Sequence, residues 1–304
     1  MWEKKGLIHS CNLFGTGYAQ DAFIDIINDN VWRIYYSTRN KDVVSYPMYI
    51  DVEAGNIENI LHVADKPIFE PGRRGTFDDR GVTMTSIVKI DEHTKYLYYC
   101  GWNQKTTVSY SLSIGCCKVT DDKIYEKISE GPVMERSIYN PIAVSAPMVL
   151  KEDDRYRMWY ISFTSWDKYG DKYEPIYVVK HATSSDGINW ECDNNICIDC
   201  SYEGEAIGRP WVIKDDGIYK MWFSTRGIEN YRTKEGNHYM IGYAESKDGL
   251  NWERKDAGIT TSATGWDSDM LEYASVKKYN NKYYMIYNGN AFGKTGFGYA
   301  VKEV

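Results

Sequence analysis

The sequence predicts an all-β protein: one five-bladed β-propeller of four-stranded antiparallel blades over residues 1–304, its N-terminal strand closing the last blade. Three observations predict it. The chain repeats one pattern five times, an apolar stretch, a polar turn and an aromatic stretch. Equivalent positions Ala22, Ser86, Pro147, Pro210 and Ala274 stand 64, 61, 63 and 64 residues apart, an even period that suits propeller blades. The chain also stops one strand short, and its opening residues resemble the strand it lacks.

The elements follow in order. First strands are expected at DAFIDII (21–27), TSIVKI (85–90), APMVLK (146–151), RPWVIK (209–214) and YASVKK (273–278). Second strands are WRIYYSTRN, YLYYCGWNQ, YRMWYISFTSW, YKMWFSTRG and YYMIYNGNAFG. Third strands are YPMYIDV, YSLSIGCCKV, IYVVKHATS, YMIGYAESK and FGYAVKEV. In SSDGINW (184–190) and SKDGLNW (246–252) a DG turn reverses the chain and the Trp opens a fourth strand. The fifth unit ends at Val304 after its third strand, and WEKKG (2–6) mirrors WERKD (252–256). Pairing it into the fifth blade closes the ring and removes two open sheet edges.

Composition narrows the function. The chain is 43% hydrophobic and 26% charged, as in a soluble protein with a sizeable core. Its 27 Tyr and 10 Trp suit strands and also suit a wet concave site. The net charge of −7 repels a phosphate backbone, so nucleic acid is not an expected partner. No apolar run approaches the ~18–20 residues that span a bilayer, and the N-terminus lacks an apolar signal core. The expected location is cytoplasmic, without membrane partners. Seven cysteines are then reduced thiols, and Cys192, Cys197 and Cys200 lack the spacing of a zinc site. No metal and no cofactor is expected, and the oligomeric state stays open.

Strand order fixes the working face. The first strand begins and the second ends on the same face, around the axis. That face gathers Asp21, Asp79, Arg80, Glu205, Arg209, Asp269 and Glu272 from the segments leading into first strands. It gathers Arg39, Trp102, Asn103, Arg226 and Asn288 from the ends of second strands. Carboxylates, guanidiniums, amides and indoles around a cavity suit a sugar, and paired carboxylates supply an acid and a base. Arg39 and Arg226, in matching STR segments, are equally expected as structural partners of neighbouring carboxylates. Asp79 and Asp269 are also candidates for turn capping. The opposite face is expected to hold plain solvated turns.

QDAFID, FDDRG, GEAIGRPWV, the SxDGxNW turns and YNGNAFGKTGFGYAV together resemble the five-bladed propeller carbohydrate-active enzymes, glycoside hydrolase families 32, 43 and 130 and their relatives. The resemblance covers nearly the whole chain. It implies an enzyme that cleaves or transfers a glycosidic bond, with Asp21 as base or nucleophile and Glu205 as general acid. Asp79, Asp269 and Glu272 are alternative carboxylates, because the blade-three segment NPIAVSAP lacks the acid those families place there. Arg39, Arg80, Arg209, Arg226, Asp269, Glu272, Trp102, Asn103 and Asn288 would bind substrate. One alternative is phosphorolysis or sugar-nucleotide chemistry, with the arginines gripping phosphate. Another is a sugar-binding propeller without catalysis.

Overall fold

The computed structural model describes residues 1–232 and 236–304. Strand β1 (Glu3–His9) precedes four blades that run in chain order. Blade one is β2 (Gln20–Ile26), β3 (Val31–Arg39), β4 (Ser45–Glu53) and β5 (Asn56–Val63). Blade two is β6 (Val82–Lys89), β7 (Thr94–Gln104), β8 (Tyr110–Thr120) and β9 (Ile124–Lys127). Blade three is β10 (Val144–Lys151), β11 (Tyr156–Tyr169), β12 (Lys172–Ser184) and β13 (Glu191–Ile198). Blade four is β14 (Ala206–Asp215), β15 (Ile218–Arg226), β16 (Met240–Ser246) and β17 (Glu253–Lys255). Blade five is β18 (Glu272–Tyr279), β19 (Lys282–Asn288) and β20 (Phe297–Glu303), completed by β1.

The ring closes as the sequence predicts. Strand β1 runs antiparallel to β20, with Glu3 opposite Val301 and His9 opposite Phe297. Lys4 reaches Asp267 at 2.7 Å, tying β1 to the segment before β18. Trp2, just ahead of β1, is buried edge-on against Trp222 of blade four, and its indole N–H donates to the Ala257 carbonyl. The clasp therefore engages two blades.

Aromatic side chains of the second strands fill the spaces within and between blades. Trp32, Tyr35, Tyr99, Trp159, Tyr160 and Phe223 are fully enclosed. Each such burial contributes about 1.5–3 kcal/mol. Third strands make room for them: a Cβ on Gly115 would meet the Tyr99 ring at 2.2 Å, and one on Gly242 would meet Phe223 at 2.3 Å. The DG turns are structural. Asp186 accepts from the N–H groups of Ile188 and Asn189, and Asp248 from those of Leu250 and Asn251. These bonds hold both carboxyls well below the usual carboxylate range. All seven cysteines are unpaired.

Every inner strand contains one bulge at the same place. Pairing with the second strand slips between Gln20 and Phe23, Met84 and Ser86, Ser145 and Met148, Gly208 and Trp211, and Glu272 and Ser275. In four blades a residue of the bulge takes a left-handed backbone: Asp21 (φ 58°), Ala146 (49°), Arg209 (39°) and Tyr273 (56°). An extra residue re-aims its side chain out of the pleat. The preceding blade stitches these bulges in place. The Asp21 N–H donates to the Asn288 side-chain carbonyl (2.9 Å), Ala146 to Cys100 Sγ (3.0 Å) and Tyr273 to Ser224 Oγ (2.8 Å).

Removing residues 1–9 is expected to leave β20 as an open edge and to lower the midpoint of thermal unfolding by more than 10 °C. Trp2→Ala alone is expected to cost about 3 kcal/mol in urea unfolding.

Candidate functional site

The bulge residues build the floor of the site. Asp21, Thr85, Ala146, Arg209 and Tyr273, one from each blade, line a cavity of about 1020 Å³ on the face where first strands begin. Blades two and three raise a wall above it. The segment Lys105–Ser109 follows β7, and the β11–β12 hairpin contributes Asp171, Lys172, Tyr173 and Glu174. Rings dominate the sides, with Trp102, Tyr110, Phe163 and Trp166 on one flank and Tyr231, Tyr239, Tyr273 and Phe292 on the other. Tyr110 packs against Trp102 and Trp166, with ring centroids 4.9 and 5.1 Å away. Flat apolar faces among hydroxyls suit the C–H faces of a sugar.

The charge at the floor is organised around one pair. Arg209 Nε stands 2.9 Å from Asp21 Oδ1. The same guanidinium donates to the backbone carbonyls of Asp21 (2.8 Å) and Tyr273, so one side chain joins blades four, five and one. Burial pushes the Asp21 carboxyl up, against the pull of Arg209 and Arg39. Burial likewise pulls the Arg209 guanidinium down. Each charge is tolerable there because the other is present.

Arg39 is the contrasting group. It lines the same cavity, with Trp102 and Tyr18 rings 5.8 and 5.5 Å from its guanidinium. Among the described residues it makes no side-chain hydrogen bond or ion pair, and its Nε is buried without a partner. The other enclosed arginines are matched: Arg33 with Asp51, Arg157 with Tyr219 and the Asp248 carbonyl, and Arg226 with the carbonyls of Pro175 and Gly227.

Of the residues singled out in the sequence, Asp21, Arg39, Trp102 and Arg209 line the cavity. The others do not, for identifiable reasons. Glu205 is buried beside β15 and spends both oxygens on structure, accepting from Arg254 (2.9 Å), from the Ser201 backbone N–H and hydroxyl, and from Thr225. Burial pushes its carboxyl up, but those donors win and hold it below the usual range. The structure therefore gives no geometric support to Glu205 as general acid. Asp79 accepts from the Gly75 N–H and from Asn103, so these two fix one loop. Arg80 is exposed and donates to the Asp42 carbonyl. Arg226 is enclosed, lies 3.8 Å from the Tyr231 ring centroid and pairs with no carboxylate among the described residues. Asp269 takes a bond from Ser268, and its N–H donates to Asn290. Asn288 holds the backbone of Asp21 and donates to the carbonyls of Ala19 and Gly296. Glu272 is fully enclosed behind the floor.

The structure also supplies residues the sequence reading passed over. Glu174 accepts from Tyr231 (2.6 Å) and Arg232 (3.0 Å), latching the blade-three hairpin to the segment after β15. Burial opposes its charge, but those donors hold the carboxyl below its usual value. Tyr177 and Tyr239 share a 2.5 Å hydrogen bond in the wall beneath. The unusual length of β11 and β12 was the available signal. The opposite face is more than turns. A funnel of about 980 Å³ opens there, lined by Lys89, Lys151, Lys214, Lys277 and Lys278 together with Asp25, Asp91, Glu92 and apolar strand ends. No cluster of three or more His, Cys, Asp or Glu suited to a metal occurs among the described residues.

No family model matches the chain. The uncharacterized protein Rv1502 of Mycobacterium tuberculosis is 38% identical over 283 residues, covering 91% of this chain and 90% of that protein. The chain belongs to the Rv1502 family. A shorter match, 30% identical over 89 residues, links 29% of the chain to 30% of a 1,2-beta-oligomannan phosphorylase of a Thermoanaerobacter species. Among solved structures, a glycoside hydrolase superposes with a TM-score of 0.77 at 15% identity, over 98% of this chain and 90% of the other. The fold is that of the five-bladed propeller glycosidases.

Glu205→Gln is expected to destabilise the fold by about 2 kcal/mol at pH 7, because it weakens the charged hydrogen bonds that hold half-buried Arg254. A carboxyl held low stabilises above its unfolded pKa, and that contribution is lost as pH falls. The stability gap between wild type and variant is therefore expected to narrow under acid in urea unfolding.

Proposed function

We propose that the chain is a carbohydrate-active enzyme that makes or breaks a glycosidic bond in the axial cavity, with Asp21 transferring the proton. The observation that carries this reading is the state of Asp21. It is a buried carboxyl in a left-handed backbone at the cavity floor, stitched by Asn288 and paired with Arg209. Strain and buried charge of this kind persist where the surroundings enforce them, and they cluster at working sites. A carboxylate whose proton affinity is raised by burial takes a proton from the incoming nucleophile and passes it to the leaving oxygen near neutral pH more readily than an exposed one. The shared fold with glycoside hydrolases and the segment in common with a mannan phosphorylase support the same substrate class.

A second reading concerns the co-substrate. Hydrolysis by two carboxyls needs a second free acid at the floor. Of the other cavity carboxyls, Glu174 is committed to its latch and Asp171 stands on the hairpin wall. Meanwhile Arg39 presents an unmatched guanidinium beside Asp21. One acid and one free cation suit attack by an oxyanion, so inorganic phosphate is favoured as the acceptor of the glycosyl group. Arg grips such an anion through paired N–H donors.

The test is proton NMR of product formation on a panel of glycosides and oligosaccharides, β-1,2-mannosides first, each with and without phosphate. Turnover by the wild type is expected, falling at least about 10³-fold in Asp21→Asn. Full turnover by Asp21→Asn overturns the assignment. Arg39→Met is expected to raise the phosphate requirement about 10–100-fold while leaving sugar affinity near its original value. A rate indifferent to phosphate removes the second reading.

A further inference from the structure

Glu272 opens β18 directly behind the cavity floor. Its side chain has no exposure, and neither carboxyl oxygen makes a hydrogen bond of good geometry among the described residues, the Tyr273 hydroxyl being close enough only to offset burial in part. It lies opposite Asn288 in the β18–β19 pair, and the Asn288 side chain holds the N–H of Asp21. The charged and titratable groups that face it come from three blades. They are Asp21 and Arg39 of blade one, Arg209 and Arg232 of blade four, and the hydroxyl of its own neighbour Tyr273. None of the guanidiniums comes within ion-pair distance of it. A buried carboxylate without donors is among the costliest groups a fold can hold, whereas the neutral acid is tolerable.

We propose that Glu272 is a positioning residue for Asp21: an enclosed, protonated carboxyl, so that the two acids at the floor carry one negative charge between them. The inference rests on Asp21 being the working carboxyl. Asp21, opposite Arg209, is the member that ionises. Its charge then adds to burial in keeping the proton on Glu272. Burial comes first among the causes that push the Glu272 carboxyl well up, and the Asp21 charge comes second. The arrangement fixes the charge of the floor. Asp21 minus, Arg209 plus and Arg39 plus leave one net positive charge beneath the ligand, and an ionised Glu272 would cancel it.

The experiment uses the whole protein with ¹³C-labelled glutamate carboxyls and needs no substrate, so it is independent of turnover. Glu272 is the one described glutamate whose surroundings push its carboxyl up, so a protonated glutamate signal at pH 7 reports it in the wild type. Glu272→Gln is expected to remove that signal and leave the fold intact, since an amide replaces a neutral acid. Asp21→Asn is expected to lower the Glu272 midpoint by about one pH unit, a tenfold change in its ionisation constant. Stability gives a second readout. A carboxyl raised in the fold stabilises below its unfolded pKa, and that contribution is lost as pH rises towards the folded value. Glu272→Gln is therefore expected to gain on the wild type in urea midpoint between pH 5 and pH 8. A Glu272 carboxyl ionised at pH 7, or a midpoint unmoved by Asp21→Asn, overturns the proposal while leaving Asp21's role untouched.

Discussion

The site depends on one backbone irregularity repeated five times. A flat inner strand would direct alternate side chains into the neighbouring blades and leave the axis lined by whatever the pleat allowed. The one-residue bulge breaks that alternation and turns one side chain per blade towards the axis. Four blades accept a left-handed residue to do so, at a cost of order 1 kcal/mol each. Bonds from the preceding blade hold the bulge open, so the floor is set by contacts between blades. The closing strand β1 matters for the same reason: with the ring closed, Asn288 of blade five reaches Asp21 of blade one.

Upon that floor the charges sort into those used up and those left over. Asp21 and Arg209 form an ion pair, and the Arg209 guanidinium stitches three blades through backbone carbonyls. Glu174 is taken by its latch, Glu205 by Arg254, and Asp78 by Lys127. Beside Asp21 stand two groups without an ion-pair partner among the described residues, the Arg39 guanidinium and the Glu272 carboxyl. Unmatched buried groups are the exception in folded proteins. Two of them stand together here, at the foot of a cavity walled with rings, and that is why the proposed chemistry is placed there.

Much of this was legible in the sequence. The repeat length, the DG turns and the clasp are local or periodic signals, and they gave the blades and their closure. The bulge position was also visible, since Asp21, Ala146, Arg209 and Tyr273 each precede the residue that defined the repeat. Glu205 misled because the sequence places a residue on a face but does not say where its carboxyl turns. Arg254, which claims it, lies 49 positions away. The Glu174 latch was hidden because it joins a hairpin tip to a segment 58 residues later. The environment of Glu272 could not be read at all, since it arises from three blades meeting at the axis.

The most direct measurement is a crystal structure of Asp21→Asn with whichever oligosaccharide the wild type turns over. The scissile glycosidic oxygen is expected within hydrogen-bond distance of residue 21, with a sugar face against the Trp102 flank and the Arg39 guanidinium open to an added oxyanion. A sugar seated elsewhere on the ring, with residue 21 still closed off by Arg209 and no glycosidic oxygen near it, would contradict the account.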